Sequence, residues 1–279
     1  MATRVPNGSP QVVLITGASS GIGKACALHL VSRGFRVYGT SRRARPADAP
    51  AGVEMLEMDV TSDDDVARGV ARVLATESRL DVLVNNAGYG IAGAVEDTTV
   101  DEARAQFETN VFGVLRTCTA VLPHMRARRA GLIVNVSSIA GLVPVPFQAF
   151  YSASKAALES MSEALRMEVR PFGVRVALLE PGDFRTGFTA SRVRTVASTQ
   201  QSPYYERGER ALAVMERDEQ GAEPPEAIAR ELERIIADPS PRLRHPVGKA
   251  LQRAAPTLRQ LLPSRLYERL MMQTYEILS

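Results

Sequence analysis

Val12–Gly23 reads VVLITGASSGIG. Four apolar residues and a threonine, mostly β-branched, are the pattern of a strand buried on both faces. Three glycines follow at once, Gly17, Gly21 and Gly23, and then KACALHLVSRG, with apolar residues at helical spacing. The stretch is therefore strand, glycine turn, helix. Gly17 permits the tight turn, Gly21 lets the backbone approach a pyrophosphate, and Gly23 lets the helix pack close to the sheet. The free N–H groups of the helix start then face the phosphates. The competing reading of the triplet is a plain tight turn.

Outward from this unit, strand and helix patterns alternate. RVYGTSRR (residues 36–43) reads as a second strand, PADAPAG (46–52) as a linker, and VEMLEMDVT (53–61) as a third strand leading to a helix from about Ser62. LDVLVNNAGYG (80–90) is a fourth strand, and a long helical stretch covers about residues 100–129. GLIVNVSSIAG (131–141) is a fifth strand and FGVRVALLEPGDFRT (172–186) a sixth. Alternation of this kind predicts an α/β fold, a Rossmann-type doubly wound parallel sheet, with the ligand crevice at the C-terminal edge of its strands. One domain over 1–279 is expected, with a core of about 10–190 and a substrate lid and helical C-terminal extension over about 187–279.

Composition narrows the function. The chain has 279 residues, 34 basic against 31 acidic, a net charge of +3. So small a surplus gives no reason to expect nucleic acid as a partner, and with no Trp there is no obvious stacking platform for bases. Cys26 and Cys118 sit in apolar helical contexts and read as buried thiols in a reduced compartment. The start is polar with no signal core, and no apolar run approaches the length of a membrane span. A cytoplasmic protein is the expectation. His29, His124 and His245 are scattered, so no metal site is expected.

The strand ends carry the chemistry. An NAD site normally has an acid at the end of the second strand, for the ribose hydroxyls. Here Ser41, Arg42 and Arg43 stand instead. A guanidinium clamps a 2′-phosphate, so NADP(H) is expected, with Arg42 as the clamp. Asp59 and Val60 end the third strand, placed to line an adenine pocket, although Asp59 is equally suited to cap the next helix. Asn85, Asn86, Ala87 and Gly88 end the fourth, where amides can hold a loop under the cofactor or simply make a turn. Asn110 is unusual inside a helix, because its side chain competes for backbone bonds, and it marks a local kink or a water. Pro123 suggests a second bend.

Ser138 ends the fifth strand, where its hydroxyl can polarise a substrate carbonyl. Tyr151 and Lys155, in YSASK at a helix start, lie one turn apart on one face. The lysine is expected to lower the phenol pKa and make Tyr151 a general acid/base. No histidine is well placed as a base for a serine nucleophile, which argues against a serine hydrolase.

Together these motifs resemble the short-chain dehydrogenase/reductase family over about residues 10–190. TGASSGIG (16–23) is similar to its cofactor turn, which implies cofactor contacts from Ser19, Ser20 and Ile22 beside the glycines. NNAG (85–88) is similar to its sheet-stabilising motif. Asn110, Ser138, Tyr151 and Lys155 match its catalytic four. Pro181 and Gly182 match its proline-glycine motif, and Thr186 its carboxamide-side threonine. Within the family, VYGTSR and GLVPVPFQAFYSASK look like the 17-beta-hydroxysteroid and retinol dehydrogenase branch. The resemblance implies an NADP(H)-dependent oxidoreductase interconverting a lipophilic ketone or aldehyde with its alcohol, acting as a homodimer or homotetramer. The rivals are a nucleotide-sugar epimerase or dehydratase and a non-catalytic NADP-sensing regulator. The missing NAD-type acid and the TGASSGIG form argue against the first, the intact Ser138, Tyr151 and Lys155 set against the second.

The last third is less regular. Residues 186–206 have little period and suggest a mobile lid. Phe184, Phe188, Val143, Phe147 and Tyr204 are either an apolar substrate wall or simple packing. RLRHPVG reads as a short edge strand. From Arg242 to Arg269 seven basic residues face one acid, Glu268. This amphipathic tail can meet a membrane surface or a partner subunit, but the expected arrangement is a helix packed on its own domain with a solvated basic face.

Overall fold

The computed structural model describes residues 9–43 and 49–278. The first half contains β1 (Val12–Ile15), α1 (Gly21–Ser32), β2 (Arg36–Ser41), β3 (Glu54–Glu57), α2 (Asp63–Glu77) and β4 (Val82–Asn85). Then come β5 (Ile91–Ala92), α3 (Val100–Phe107), α4 (Gly113–Ala127), β6 (Gly131–Val136), α5 (Ala149–Val169) and β7 (Val174–Pro181). The chain closes with α6 (Phe188–Ser191), β8 (Val193–Arg194), α7 (Tyr205–Gln220), α8 (Glu226–Ala237), β9 (Arg244–Val247), α9 (Ala250–Leu261) and α10 (Ser264–Thr274). Seven strands form one parallel sheet in the order β3-β2-β1-β4-β6-β7-β9. Chain order reverses between β1 and β4, the switch point at which ligands of such sheets bind.

Alternate strand residues point to opposite faces, and the two faces bury different helices. Val13, Ile15, Val37, Val84 and Val134 pack with Cys26 and Leu30 of α1 and Ile228, Leu232 and Ile235 of α8. Val12, Leu14, Leu83, Ile133 and Val176 pack with Val70 of α2, Val114, Cys118 and Val121 of α4 and Leu158 of α5. Each such side chain contributes about 2 kcal/mol by leaving water. A buried polar chain adds specificity. The Asn85 amide donates to Asn135 Oδ1 (2.9 Å), Thr117 donates to Asn85 Oδ1 (2.6 Å), and Asn135 donates to Ser162 (2.8 Å). It ties α4 and α5 to the middle of the sheet, and nothing in the apolar patterning foretold it.

The Rossmann-type expectation holds, and RLRHPVG does close the sheet as edge strand β9. Several local readings change. Ser62, not Asp59, caps α2, by accepting from Asp65 N–H (3.2 Å). Pro123 does not break α4, which runs through it to Ala127. The departure from α geometry lies at Glu108–Phe112, a π-helical turn holding Asn110. β5 pairs with β8 in a two-stranded sheet that the sequence did not announce. Cys26 and Cys118 are free and buried, as expected, and burial pushes both thiols up to about 12. The expected linker at 46–52 falls partly outside the described residues. Among the described residues no helix is long and apolar enough to cross a membrane.

Candidate active site

The glycine turn is built as the close contacts of its backbone demand. Gly17 and Gly21 have φ of +67° and +53°, the left-handed region that favours glycine. A Cβ on Gly23 would lie 2.3 Å from the Gly17 carbonyl oxygen and 2.4 Å from Asn86 Nδ2. Asn86 explains the second contact: its amide donates to the carbonyls of Thr16 (2.9 Å) and Gly17 (3.1 Å). Thr16 Oγ1 returns the bond, accepting the N–H groups of Asn86 (3.0 Å) and Ala87 (2.9 Å). Thr16 was missed as a site residue, because a threonine at a strand end reads as β-propensity alone. The NNAG loop and the glycine turn are thus one hydrogen-bonded body.

This body fits a dinucleotide. Ser20 stands at the N-cap of α1 without a side-chain cap, and the first turn has no acid, so its N–H groups are left for an anion. Across from Gly21 stands Thr186, 3.8 Å from where a Cβ would be. Ser19, Ser41, Arg42, Arg43 and Asp59 line an open pocket of about 580 Å³, and Ser41 Oγ is buried with no partner. Asp59 accepts from Thr61 N–H and Oγ (2.9 and 2.8 Å) in a local turn at the pocket rim. The Val60 side chain is buried in the core, where Gly113 leaves it room.

The π turn is what brings Asn110 inward. Asn110 Nδ2 donates to the Tyr89 carbonyl (3.0 Å) and to Ser154 Oγ (3.1 Å), and Oδ1 accepts Tyr89 N–H (3.2 Å). Gln106 supports the same loop through Tyr89 O (2.7 Å) and Ile91 N–H (2.8 Å). A Cβ on Gly88 would sit 3.0 Å from Asn110 Oδ1 and 3.8 Å from Lys155 Nζ. Asn110, Gly88 and Lys155 therefore meet, with the asparagine fastening the loop after β4.

Ser138, at the end of β6, donates to the Pro181 carbonyl (3.3 Å) and accepts from Ala140 N–H (3.1 Å). Gly182 N–H donates to the Val247 carbonyl (2.8 Å), which joins the proline-glycine loop to β9. Tyr151 is buried on the first turn of α5, its ring against Phe188 (centroids 5.5 Å apart). Burial pushes the phenol up to about 12, while the Ser138 hydroxyl and, less, Arg192 draw it down. The expectation that Lys155 lowers it needs correction for this arrangement. Lys155 Nζ donates to the Val136 carbonyl (2.8 Å) and lies 5.9 Å from the phenol ring centroid. Burial in turn pushes Lys155 down to about 8, opposed by Glu159.

Residues 187–206 meet the body of the fold at several points. β8 pairs with β5, Val196 N–H donates to Glu102 (2.8 Å), and Ser202 donates to Asp97 (2.6 Å). Of the suggested apolar wall, Phe184 is core packing and Phe188 covers Tyr151. Arg192 lies over the Phe188 ring (5.6 Å) and pairs with Glu219, which also accepts from Thr189. His124 is half-buried, and among the described residues no cluster is suited to a metal.

A parallel sheet with a glycine turn at its switch point, and a serine, tyrosine and lysine gathered on the same edge, define a dinucleotide-binding α/β protein. The family model for short chain dehydrogenases matches residues 11–197, and the chain belongs to that family of oxidoreductases. A 3-ketodihydrosphingosine reductase from Bacteroides thetaiotaomicron is 45% identical over 243 residues, 87% of this chain and 90% of that protein. The mouse 17-beta-hydroxysteroid dehydrogenase type 1 is 41% identical over 193 residues, 64% of this chain and 56% of its own. Among solved structures, a short chain dehydrogenase/reductase from Burkholderia phymatum in complex with NAD superposes with a TM-score of 0.79 at 27% identity, covering 91% of this chain and 94% of that one. A metagenomic short-chain oxidoreductase in complex with NADP does so with a TM-score of 0.67 at 30% identity, over 86% and 97%.

Proposed function

We propose that the chain is an NADP(H)-dependent reductase and dehydrogenase that interconverts a lipophilic ketone with its alcohol, and that a long-chain 3-keto sphingoid base is the substrate class. The observation that carries the reaction is the convergence of Ser138, Tyr151 and Lys155 beside the Gly88 loop at one sheet edge. The sphingoid class is supported by the Bacteroides relative, which is similar over nearly its whole length. Exposed Leu251 and Leu258 on α9, whose Gln252 reaches the loop after Pro181, suit an apolar tail.

The residues that would hold the cofactor are Gly17, Ser19, Ser20, Gly21, Ile22 and Gly23 around the pyrophosphate and Asp59 and Val60 near the adenine. Asn86, Ala87 and Gly88 form the floor, Tyr151 and Lys155 reach the ribose side, and Pro181, Gly182 and Thr186 hold the nicotinamide end. Arg42 clamps the 2′-phosphate, since no acid stands at the end of β2 to prefer a free hydroxyl. When bound, the nicotinamide supplies or accepts the hydride. Ser138 and Tyr151 bond the substrate oxygen as negative charge builds there, and Tyr151 passes its proton to that oxygen. The Lys155 ammonium would orient the ribose beside the nicotinamide, and Asn110 holds the loop against which the lysine rests. In oxidation the proton returns to Tyr151.

Tyr151→Phe tests this reading. Turnover of an aliphatic ketone, followed by NADPH absorbance, should fall by about two orders of magnitude or more, the scale of a lost proton donor. NADPH binding should survive. Unchanged turnover would end the assignment.

A further inference from the structure

Beyond Lys155, helix α5 places one more titratable group on the same face. Glu159 is four residues on, so phenol, ammonium and carboxyl follow one another at successive turns. The Glu159 side chain is 5% exposed. Facing it is Glu180, near the end of β7, with a side chain 2% exposed. A single cation serves both: Arg244 of β9 places Nε 3.1 Å from Glu159 Oε2 and 3.4 Å from Glu180 Oε1. The same guanidinium also reaches the more exposed Glu163 at 3.3 Å. Glu159 Oε1 is buried without a hydrogen-bond partner, and Glu180 Oε1 has only its ion pair with Arg244. One proton held between the carboxyls would satisfy them, and two adjacent buried carboxylates sharing one arginine are expected to keep one.

Burial raises Glu180 well above the ordinary carboxylate range, and the Glu159 charge adds to the effect. Burial raises Glu159 too, while Ser137, Arg244 and Glu180 draw it down; Arg244 Nε lies nearer Glu159 (3.1 Å) than Glu180 (3.4 Å), so Glu159 is the member that carries the charge. With the proton on Glu180, the charges on Lys155, Arg244, Glu159 and Glu163 sum to zero.

We propose that Glu159 and Glu180 form a carboxyl pair sharing one proton, and that Glu159 is a positioning residue that keeps the Lys155 ammonium charged through turnover. The proposal rests on the reading of Lys155 given above. The groups facing the ammonium from other elements are the Val136 carbonyl of β6, the Gly88 loop, and, through Glu159, Glu180 of β7 and Arg244 of β9. Arg192, Glu219 and Asp183 act on the phenol, and Glu159 is the charge that holds up the proton on Lys155.

The test is the pH profile of kcat for the full chain, with NADPH and a water-soluble ketone. Without the Glu159 charge, Lys155 loses its proton at lower pH, so Glu159→Gln should move the alkaline limb down by about one pH unit. Glu180→Gln presents an N–H to Glu159 much as the protonated carboxyl does, and should shift the limb far less. Ser137→Ala removes the hydroxyl that favours the ionised form of Glu159 and should shift the limb in the same direction as Glu159→Gln, by less. If Glu159→Gln is not recovered folded, Ser137→Ala carries the test, and an unmoved limb overturns the proposal. A Glu159→Gln limb coincident with wild type while Tyr151→Phe is inactive overturns the pair alone, as does an equal shift in Glu180→Gln. Full turnover by Tyr151→Phe would bring down the site reading and the pair with it.

Discussion

The C-terminal edge of the sheet and the cap made by residues 187–220 and 250–278 are held by different forces. At the edge the backbone itself is gripped: Gly23 lies against the Gly17 carbonyl, the Asn86 amide ties the Thr16 and Gly17 carbonyls, and the Asn110 amide fastens Tyr89. In the cap, side chains do most of the holding. Arg192 pairs with Glu219, Arg217 with Glu276 (2.9 Å), and Arg207 donates to the Ile277 carbonyl (3.0 Å). Helices α9 and α10 contain no fully buried residue, and Leu251 and Leu261 are 73% and 75% exposed. The tail was expected to pack on its own domain. It does so only through a few contacts such as Met272, Tyr275 and Ile277 against α7. The edge, which would carry the shared chemistry, has no room to vary, and the cap, which would choose the substrate, does.

The largest effect should follow from Gly23→Ala. Its methyl meets backbone oxygen and the Asn86 amide, and overpacking of that kind costs about 1–3 kcal/mol. Urea unfolding should show the loss, and NADPH titration should show affinity down by more than about tenfold. A normal variant would mean that the edge yields as readily as the cap. Next comes Glu219→Gln, which leaves the nearly buried Arg192 without its counter-charge. The stability measured by urea should drop by about 2 kcal/mol, since the amide oxygen still accepts from Arg192, with NADPH affinity held, because the damage stays in the cap. Loss of NADPH binding would show that the two regions are not separable. Arg42→Ala should weaken NADPH about tenfold, the range of one charge-assisted contact at an exposed site, and leave NADH nearly unchanged. Equal weakening of both would remove the phosphate clamp. The smallest effect is expected for Leu261→Ala, within about 0.5 kcal/mol of wild type by the same unfolding curve. A larger loss would assign that leucine a contact outside the chain described here.

Much of the edge was readable in the chain because its signals are local. VVLI and VLVN are apolar on both faces, and a glycine triplet after a strand has few other uses. Asn110 gave a true signal of disturbance, but its physical form, a π turn aiming the amide at Tyr89, depends on what α3 and α4 pack against. Pro123 misled because a proline in the middle of a helical pattern is compatible with an exposed face of an unbroken helix. The dependence of the Tyr151 phenol on Ser138 more than on Lys155 was hidden as well. Spacing along α5 tells that lysine and tyrosine share a face, but not that Val136 offers the ammonium a carbonyl.

By itself, the sequence determined the alternation of strands and helices, the glycine turn and the residues brought to each strand end, since these follow from apolar period and from φ values open to few residues. Only the tertiary structure decided which of those residues touch, that Thr16 joins two loops, and that Glu159 and Glu180 share a single arginine. The first set depends on neighbours in the chain. The second depends on burial and on the pairing of elements far apart in the chain, 85 residues for Glu159 and Arg244, and no local pattern encodes the desolvation that gives such contacts their strength.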